Sequence, residues 1–275
     1  MKDKLKFEDI HPMMQLNILA TMQIVIPLLT IGYFVFVDFN IIMFTAAMLL
    51  GYLWAAFGTV IGYHRIFCHK LVKVSNKWKV AFNIGGAISQ HLTPTVYSMS
   101  HTQHHMFTDT PKDPHSPRQR GLKAILYFDH AHVMDKQTLT PREKLKTMVA
   151  HKDLMKDPIH QWFGRNMYYV IGAYVLLCAA VGAFFGSTLA GIVYGYFITF
   201  CYTHVLAQPL IILNHLDWMQ GKRPYKNNFA SNKYLGWPLI FLEHNHADHH
   251  EHPDGRDWTG RLIKRFFDGN KPVLQ

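Results

Sequence analysis

A chain of 275 residues carries 28 Lys and Arg against 18 Asp and Glu, a formal net charge of +10, together with 49% hydrophobic residues and 19 histidines. The basic excess does not point to nucleic acid: every Lys and Arg lies outside two long windows, residues 13–63 and 166–221, and no basic groove with interleaved aromatics is evident. Cys68, Cys178 and Cys201 form no paired spacing, which argues against a disulfide framework and against a CxxC metal site.

In chain order, a polar opening through about His11 gives way to an apolar segment, residues 13–37. It is longer than a signal-peptide core and shows no small-residue cleavage site, so it reads as a retained membrane helix that Pro27 kinks without preventing insertion. After a polar break at Asp38 and Asn40, residues 41–63 make a second span, again long enough to cross a hydrocarbon core of about 30 Å.

Residues 64–166 are polar and rich in histidine. Within them, the stretch from Val80 to Ile88 is too short and too broken by Gly and Asn for a span and reads as a helix near the interface. The segment from Pro141 to Lys156 is amphipathic and is expected either to cap the site or to lie along the lipid surface. A second hairpin follows, residues 167–185 and 188–213, joined near Gly186; the tail, 214–275, is again polar and histidine-rich. The expected fold is all-α and integral to the membrane, a single domain of four transmembrane helices in two hairpins with a helical cap. Two hairpins place both termini and both histidine-rich regions on one side, and the Lys and Arg residues make that side cytosolic.

The strongest local feature is Ser100-His101-Thr102-Gln103-His104-His105. On a helix its three imidazoles, at i, i+3 and i+4, share a face. The offset returns in His246-Ala247-Asp248-His249-His250. An earlier pair, His64 and His69, follows the second span. Five residues on an ideal α-helix turn the side chain by roughly 500°, so these two are expected to serve different metals or to be parted by a helix end. Neutral imidazole is a good ligand for iron and zinc, and eight histidines exceed what one tetrahedral zinc uses. Two metal ions are the economical reading. Isolated histidines such as His11, His151 and His160 are expected to serve in hydrogen bonds or helix caps.

These boxes resemble those of the membrane fatty acid desaturase superfamily, especially its delta-9 acyl-CoA and acyl-lipid branch. The resemblance lies in His64-Arg65-Ile66-Phe67-Cys68-His69, in His101 to His105 with the continuation Asp109-Thr110-Pro111-Lys112-Asp113-Pro114-His115-Ser116-Pro117, in Asn214 with Gly221, Arg223, Pro224 and Tyr225, and in Glu243 to Pro253. It covers nearly the whole chain. It implies a fatty acyl desaturase in which His64, His69, His101, His104, His105, His246, His249 and His250 hold two iron ions. Dioxygen is then the co-substrate, and the product is a cis double bond, delta-9, in a saturated acyl chain delivered as acyl-CoA or acyl-lipid.

The resemblance also implies that Asn214 approaches one iron through water. Glu243, Asp109, Asp113 and Asp248 are expected to accept hydrogen bonds from ligand imidazoles. One departure stands out: where animal-type acyl-CoA members place a ninth histidine, this chain has Trp218, which cannot coordinate iron. His215, Asp217 or His244 would supply the missing ligand, or the position is open or filled by water. Tyr97 replaces a Trp found in many relatives, and the substrate tunnel is expected to draw its lining from Val80 to Tyr97.

No fused heme or flavin domain is apparent, so two electrons are expected from a separate donor such as ferredoxin or cytochrome b5, guided electrostatically by Arg65 and other basic residues. The basic segments 118–123 and 142–152 would meet an anionic headgroup or carrier, or are ordinary positive-inside charge. Two other functions fit the same residues: a lipid hydroxylase or ketolase on the same scaffold, to which His244-Asn245-His246 gives a mild likeness, and a non-enzymatic membrane metal-binding or transport protein.

Overall fold

The computed structural model of the chain describes residues 12–127, 139–216, 225, 230–232 and 241–268. The described residues are almost entirely helical. Four helices are long and apolar enough to cross a membrane: α1 (Pro12–Phe36, apolar from Met14), α2 (Ile41–Cys68), α8 (Pro158–Phe184) and α9 (Thr188–His215), with mean hydropathies of 2.0, 1.8, 1.9 and 1.5. Between them lie α3 (Asn76–Ile88), α4 (Pro94–Met106), the short α5 (Pro117–Arg120), α6 (Pro141–Ala150) and α7 (Lys152–Lys156); α10 (His246–Glu251) and α11 (Trp258–Asp268) follow.

Helix starts are set by local chemistry. Asn40 Oδ1 accepts from the N–H groups of Ile42 and Met43 at the head of α2, and Asp157 Oδ1 accepts from Ile159 N at the head of α8, where Pro158 occupies the first turn. Between α8 and α9, Gly186 takes φ +96° and Ser187 caps the next helix, which closes the hairpin. The outward faces are apolar and bare: Leu28, Ile42, Leu176 and Phe184 are 64%, 77%, 71% and 84% exposed, as lipid-facing residues should be.

Two spans run further than their apolar windows. Helix α2 continues past Tyr63 to Cys68 and α9 continues to His215, because their ends carry polar residues, His64 and Arg65 in one and Asn214 and His215 in the other, buried against the rest of the protein. Helix α8 starts at Pro158, well before residue 167, since the Asp157 cap and Pro158 nucleate it in the polar region. The Val80–Ile88 stretch belongs to α3, which lies flush on α2: a Cβ placed on Gly58 would run into the Gly85 carbonyl carbon, so the two backbones touch. That contact carries α3 and α4 to the end of α2, where the histidines collect.

Candidate metal centre

Among the described residues, nine histidines gather in two clusters. His64, His69, His101, His105 and His249 form one; His104, His215, His246 and His250 form the other, and in each cluster the ligand atoms all lie within 4.8 Å of one another. The boxes do not each serve one cluster. On α4, His101 and His105 stand one turn apart and enter the first cluster, while His104, about 100° around the helix from His105, enters the second. On α10 the pattern inverts: His246 and His250 enter the second cluster and His249 the first.

His64 and His69 enter the same cluster and so do not serve different metals; the other alternative holds, since the helix ends at Cys68 and His69 is the first residue beyond it. The end of α2, Ala55–Cys68, is wound more widely, and His69 N–H donates to His64 O at 3.0 Å, an i→i+5 bond. This wider turn brings residues five apart onto one side, a distortion that recurs at functional sites.

Three buried carboxylates hold imidazoles by the outer nitrogen. His64 Nδ1 donates to Glu243 Oε1 at 3.0 Å, His104 Nδ1 to Asp113 Oδ1 at 2.9 Å, and His215 Nδ1 to Asp109 Oδ2 at 3.0 Å. The loop after α4 is folded for this purpose. Asp109 adopts φ +61°, its N–H donates to Asp113 Oδ2 at 2.8 Å, and Ser116 Oγ donates to Asp109 Oδ1 at 2.8 Å. Burial alone would raise Asp113 and Glu243, but His104 holds Asp113 below its usual range, and Arg65, then His64, hold Glu243 well below it. Both are carboxylates.

In the rings of His64, His104 and His215, Nδ1–H is committed outward, and across the clusters the Nε2 atoms face one another. His64 Nε2 lies 2.8 Å from His249 Nε2, His101 from His105 at 3.0 Å, His215 from His246 at 3.0 Å, and His250 from His246 and His104 at 3.2 Å each. His69 Nε2 is buried with no partner. Burial, and then the competition of neighbouring imidazoles for a proton, joined by Arg65 at His69 and His249, keep His69, His101, His105, His249 and His250 well below the ordinary imidazole value, and burial pushes His246 down to about 3. These rings are neutral. Asp113 raises His104 against the opposing effect of burial.

The donor set fits divalent metal. Two imidazole nitrogens bound about 2.0–2.1 Å from one ion stand roughly 3 Å apart, the spacing found here, and a cation satisfies lone pairs that otherwise repel. Asp113→Asn would keep the shape of the loop but weaken its grip on His104. It is expected to lower metal affinity about 10–100-fold, measured as metal retained against a chelator.

The other expected site residues divide. Asn214 is fully buried beside His215, and neither side-chain atom has a hydrogen-bond partner. Asp248 holds no histidine among the described contacts. Its Oδ1 accepts from Asn232 Nδ2 at 2.9 Å, and Asn232 in turn accepts from Ala247 N–H at the head of α10, so Asp248 secures that helix rather than a ligand. His244 packs against Trp258, outside both clusters; Asp217 and Trp218 lie outside the described residues. Arg65 is no surface guide. It is 0% exposed and bonds Glu243 at 3.3 Å and Asp257 at 2.8 Å, a buried network that box spacing does not reveal. His151 and His160 bond Thr102 and Asn83, as isolated structural histidines do.

A cavity of about 120 Å³ opens against both clusters, touching His64, His101, His104, His215 and His246. Its apolar wall comes from Ala55 and Val60 of α2, Leu92, Tyr97 of α4, and Ala207, Ile211 and Ile212 of α9. From the stretch Val80 to Tyr97 only His91, Leu92 and Tyr97 contribute, because α3 is spent on packing against α2.

The four spans and the paired histidine clusters define an integral membrane protein with two sets of imidazoles, at its helix ends, able to hold metal. The fatty acid desaturase family model matches residues 39–260, and the chain belongs to that family. Its relatives include Acyl-CoA desaturase 1 of Saccharomyces cerevisiae, 26% identical over 78% of this chain and 40% of the yeast protein. Delta-9 acyl-lipid desaturase 1 of Arabidopsis thaliana is 26% identical over 74% of this chain and 62% of its own length. Delta(9)-fatty-acid desaturase fat-5 of Caenorhabditis elegans is 28% identical, with coverages of 75% and 63%. The chain thus spans between two fifths and two thirds of these relatives.

Proposed function

We propose that the protein is an iron- and dioxygen-dependent fatty acyl desaturase that places a cis double bond, delta-9, in a saturated acyl chain. The observation that carries this reading is an apolar cavity lined by histidines of both clusters, in a chain of the fatty acid desaturase family. Two hydrogens leave adjacent methylenes, and with two electrons and two protons supplied from outside, one dioxygen becomes two waters. Bound iron supplies the oxidising power that no amino-acid side chain has.

The protein's own part is positional. Glu243, Asp109 and Asp113 fix the rings of His64, His215 and His104, and Tyr97 stacks on His101 at 5.7 Å between ring centroids, at the edge of the cavity. The apolar wall excludes water from the reacting methylenes. The nine clustered histidines are assigned as ligands, with Asn214 within reach through water. The electrons are assigned to a separate donor such as ferredoxin or cytochrome b5, and the acyl chain to a CoA or lipid carrier. The distribution of Lys and Arg puts the centre and both termini on the cytosolic side.

Expression in a desaturase-deficient host with a competent electron donor is expected to yield a new monounsaturated fatty acid that His104→Ala abolishes. The double-bond position in the extracted lipid checks the delta-9 assignment. Hydroxylated or keto lipids in its place would assign oxygen insertion to the same centre, and metal binding without reductant-dependent oxygen use would reduce the protein to a metal carrier.

A further inference from the structure

Two tyrosines line the cavity beside the histidines, and they differ in what holds their hydroxyls. Tyr127 donates to Gln208 Oε1 at 3.1 Å. The Tyr97 hydroxyl has no hydrogen-bond partner among the described residues, so it is left to whatever the cavity holds. Its ring lies on His101, 5.7 Å between centroids with the planes 9° apart, and His101 Nε2 stands 3.0 Å from His105 Nε2 in the first cluster. Burial, above all, raises the phenol well above its ordinary value, so the oxygen keeps its hydrogen at neutral pH.

Other easily oxidised groups nearby are tied down. Cys68 Sγ donates to Ser98 O and the Tyr63 hydroxyl to Asn83 O, each at 3.5 Å, and neither residue lines the cavity. A phenol O–H bond is weaker than a C–H bond of a saturated chain, so an oxidant able to take hydrogen from a methylene can take it from Tyr97. With an acyl chain in the cavity, the methylenes provide the two hydrogens that complete the reduction of dioxygen. With the cavity empty, that supply is missing.

We propose that Tyr97 is a redox residue that stands in for an absent acyl chain, giving up its hydroxyl hydrogen so that dioxygen is carried through to water. The inference rests on the oxygen chemistry proposed above. The O–H bond breaks, its electron and proton pass to oxygen already reduced by two electrons, and a neutral tyrosyl radical remains. A third electron from the external donor, with a proton, completes the second water; a fourth, with a proton, restores the phenol. The sum takes one dioxygen, four electrons and four protons to two waters, an oxidase activity that spares the clustered imidazoles from oxidation.

The test uses the full chain, loaded with iron in detergent without acyl substrate, then reduced, mixed with dioxygen and frozen at intervals for electron paramagnetic resonance. A tyrosyl radical is expected, its signal narrowed when the protein is made with ring-deuterated tyrosine, lost in Tyr97→Phe and kept in Tyr63→Phe, whose ring packs 5.8 Å from Tyr97. A saturated acyl substrate that the protein desaturates under the same conditions should suppress the signal when added first. Dioxygen consumption without a tyrosyl radical would overturn this proposal and leave the desaturase reading standing, whereas no reductant-dependent consumption at all would overturn both. A signal that survives in Tyr97→Phe, or that bound substrate does not lower, would also overturn it. Should Tyr97→Phe fail to hold iron, the unaltered protein decides: after repeated substrate-free cycles, peptide mass mapping is expected to find added oxygen at Tyr97 ahead of Tyr63, and the reverse order overturns the assignment.

Discussion

His215→Ala is expected to lower bound iron from about two ions per chain to about one and to reduce double-bond formation at least about 100-fold. His215 is one of four imidazoles in its cluster, with Nε2 3.0 Å from His246 Nε2. Altering only the partner of a ligand costs about 10–100-fold in affinity or activity, so removing the ligand itself should cost more. The change also strips Asp109 of the imidazole it holds at 3.0 Å, leaving a fully buried carboxylate with Ser116. His244→Ala is the control: this ring stacks near Trp258, outside both clusters, and its loss should leave iron content near that of the unaltered protein. Iron per chain, measured by mass spectrometry on purified protein, decides the matter apart from activity; two ions retained by His215→Ala would remove this residue from the ligand set.

Arg65→Ala should be nearly as damaging, through stability. The guanidinium is 0% exposed and sits between Glu243 and Asp257, both buried. Removing one partner of such a network leaves uncompensated buried charge and costs about 3–5 kcal/mol, a large share of the roughly 5–15 kcal/mol that holds a domain together. Arg65→Lys restores the charge without the planar fork that reaches both carboxylates and should recover only part of the loss. Thermal unfolding in detergent is the measurement. A residue that merely guided an electron donor would leave the melting temperature unchanged and alter only the salt dependence of electron delivery.

Much of the fold is legible in the sequence because lipid imposes a simple rule: a spanning segment must be apolar and free of charge for its whole length. The four windows are readable on that ground. Their ends are not, since α2 and α9 continue as polar turns whose only solvent is the protein itself, and those turns carry His64, Arg65 and His215.

The three box motifs announce a two-metal centre, yet their division between metals depends on angles of helical rotation that a spacing of three or four residues leaves open. His64 and His69 converge because the helix there is wound more widely than an α-helix, a distortion with no evident residue signal. The ninth clustered histidine is His215, one of three replacements the sequence offers for a ligand at position 218; nothing in the spacing separates it from Asp217 or His244. Carboxylates are harder still: Asp109, Asp113 and Asp248 are equally near the boxes in sequence, but only the first two turn toward imidazoles.

The crossed allegiance of the boxes bears on how the protein matures. Because α4 and α10 each send imidazoles to both clusters, neither metal position can be completed by a separate stretch of chain. If the clusters hold metal, filling either one would fix both helices and, by the fixed rotation within each, set the rings of the other, so that loading would be cooperative without any contact between the ions. The same lacing works in reverse: loosening either helix releases both positions at once, so a partly metallated chain should be a short-lived species in this protein's life.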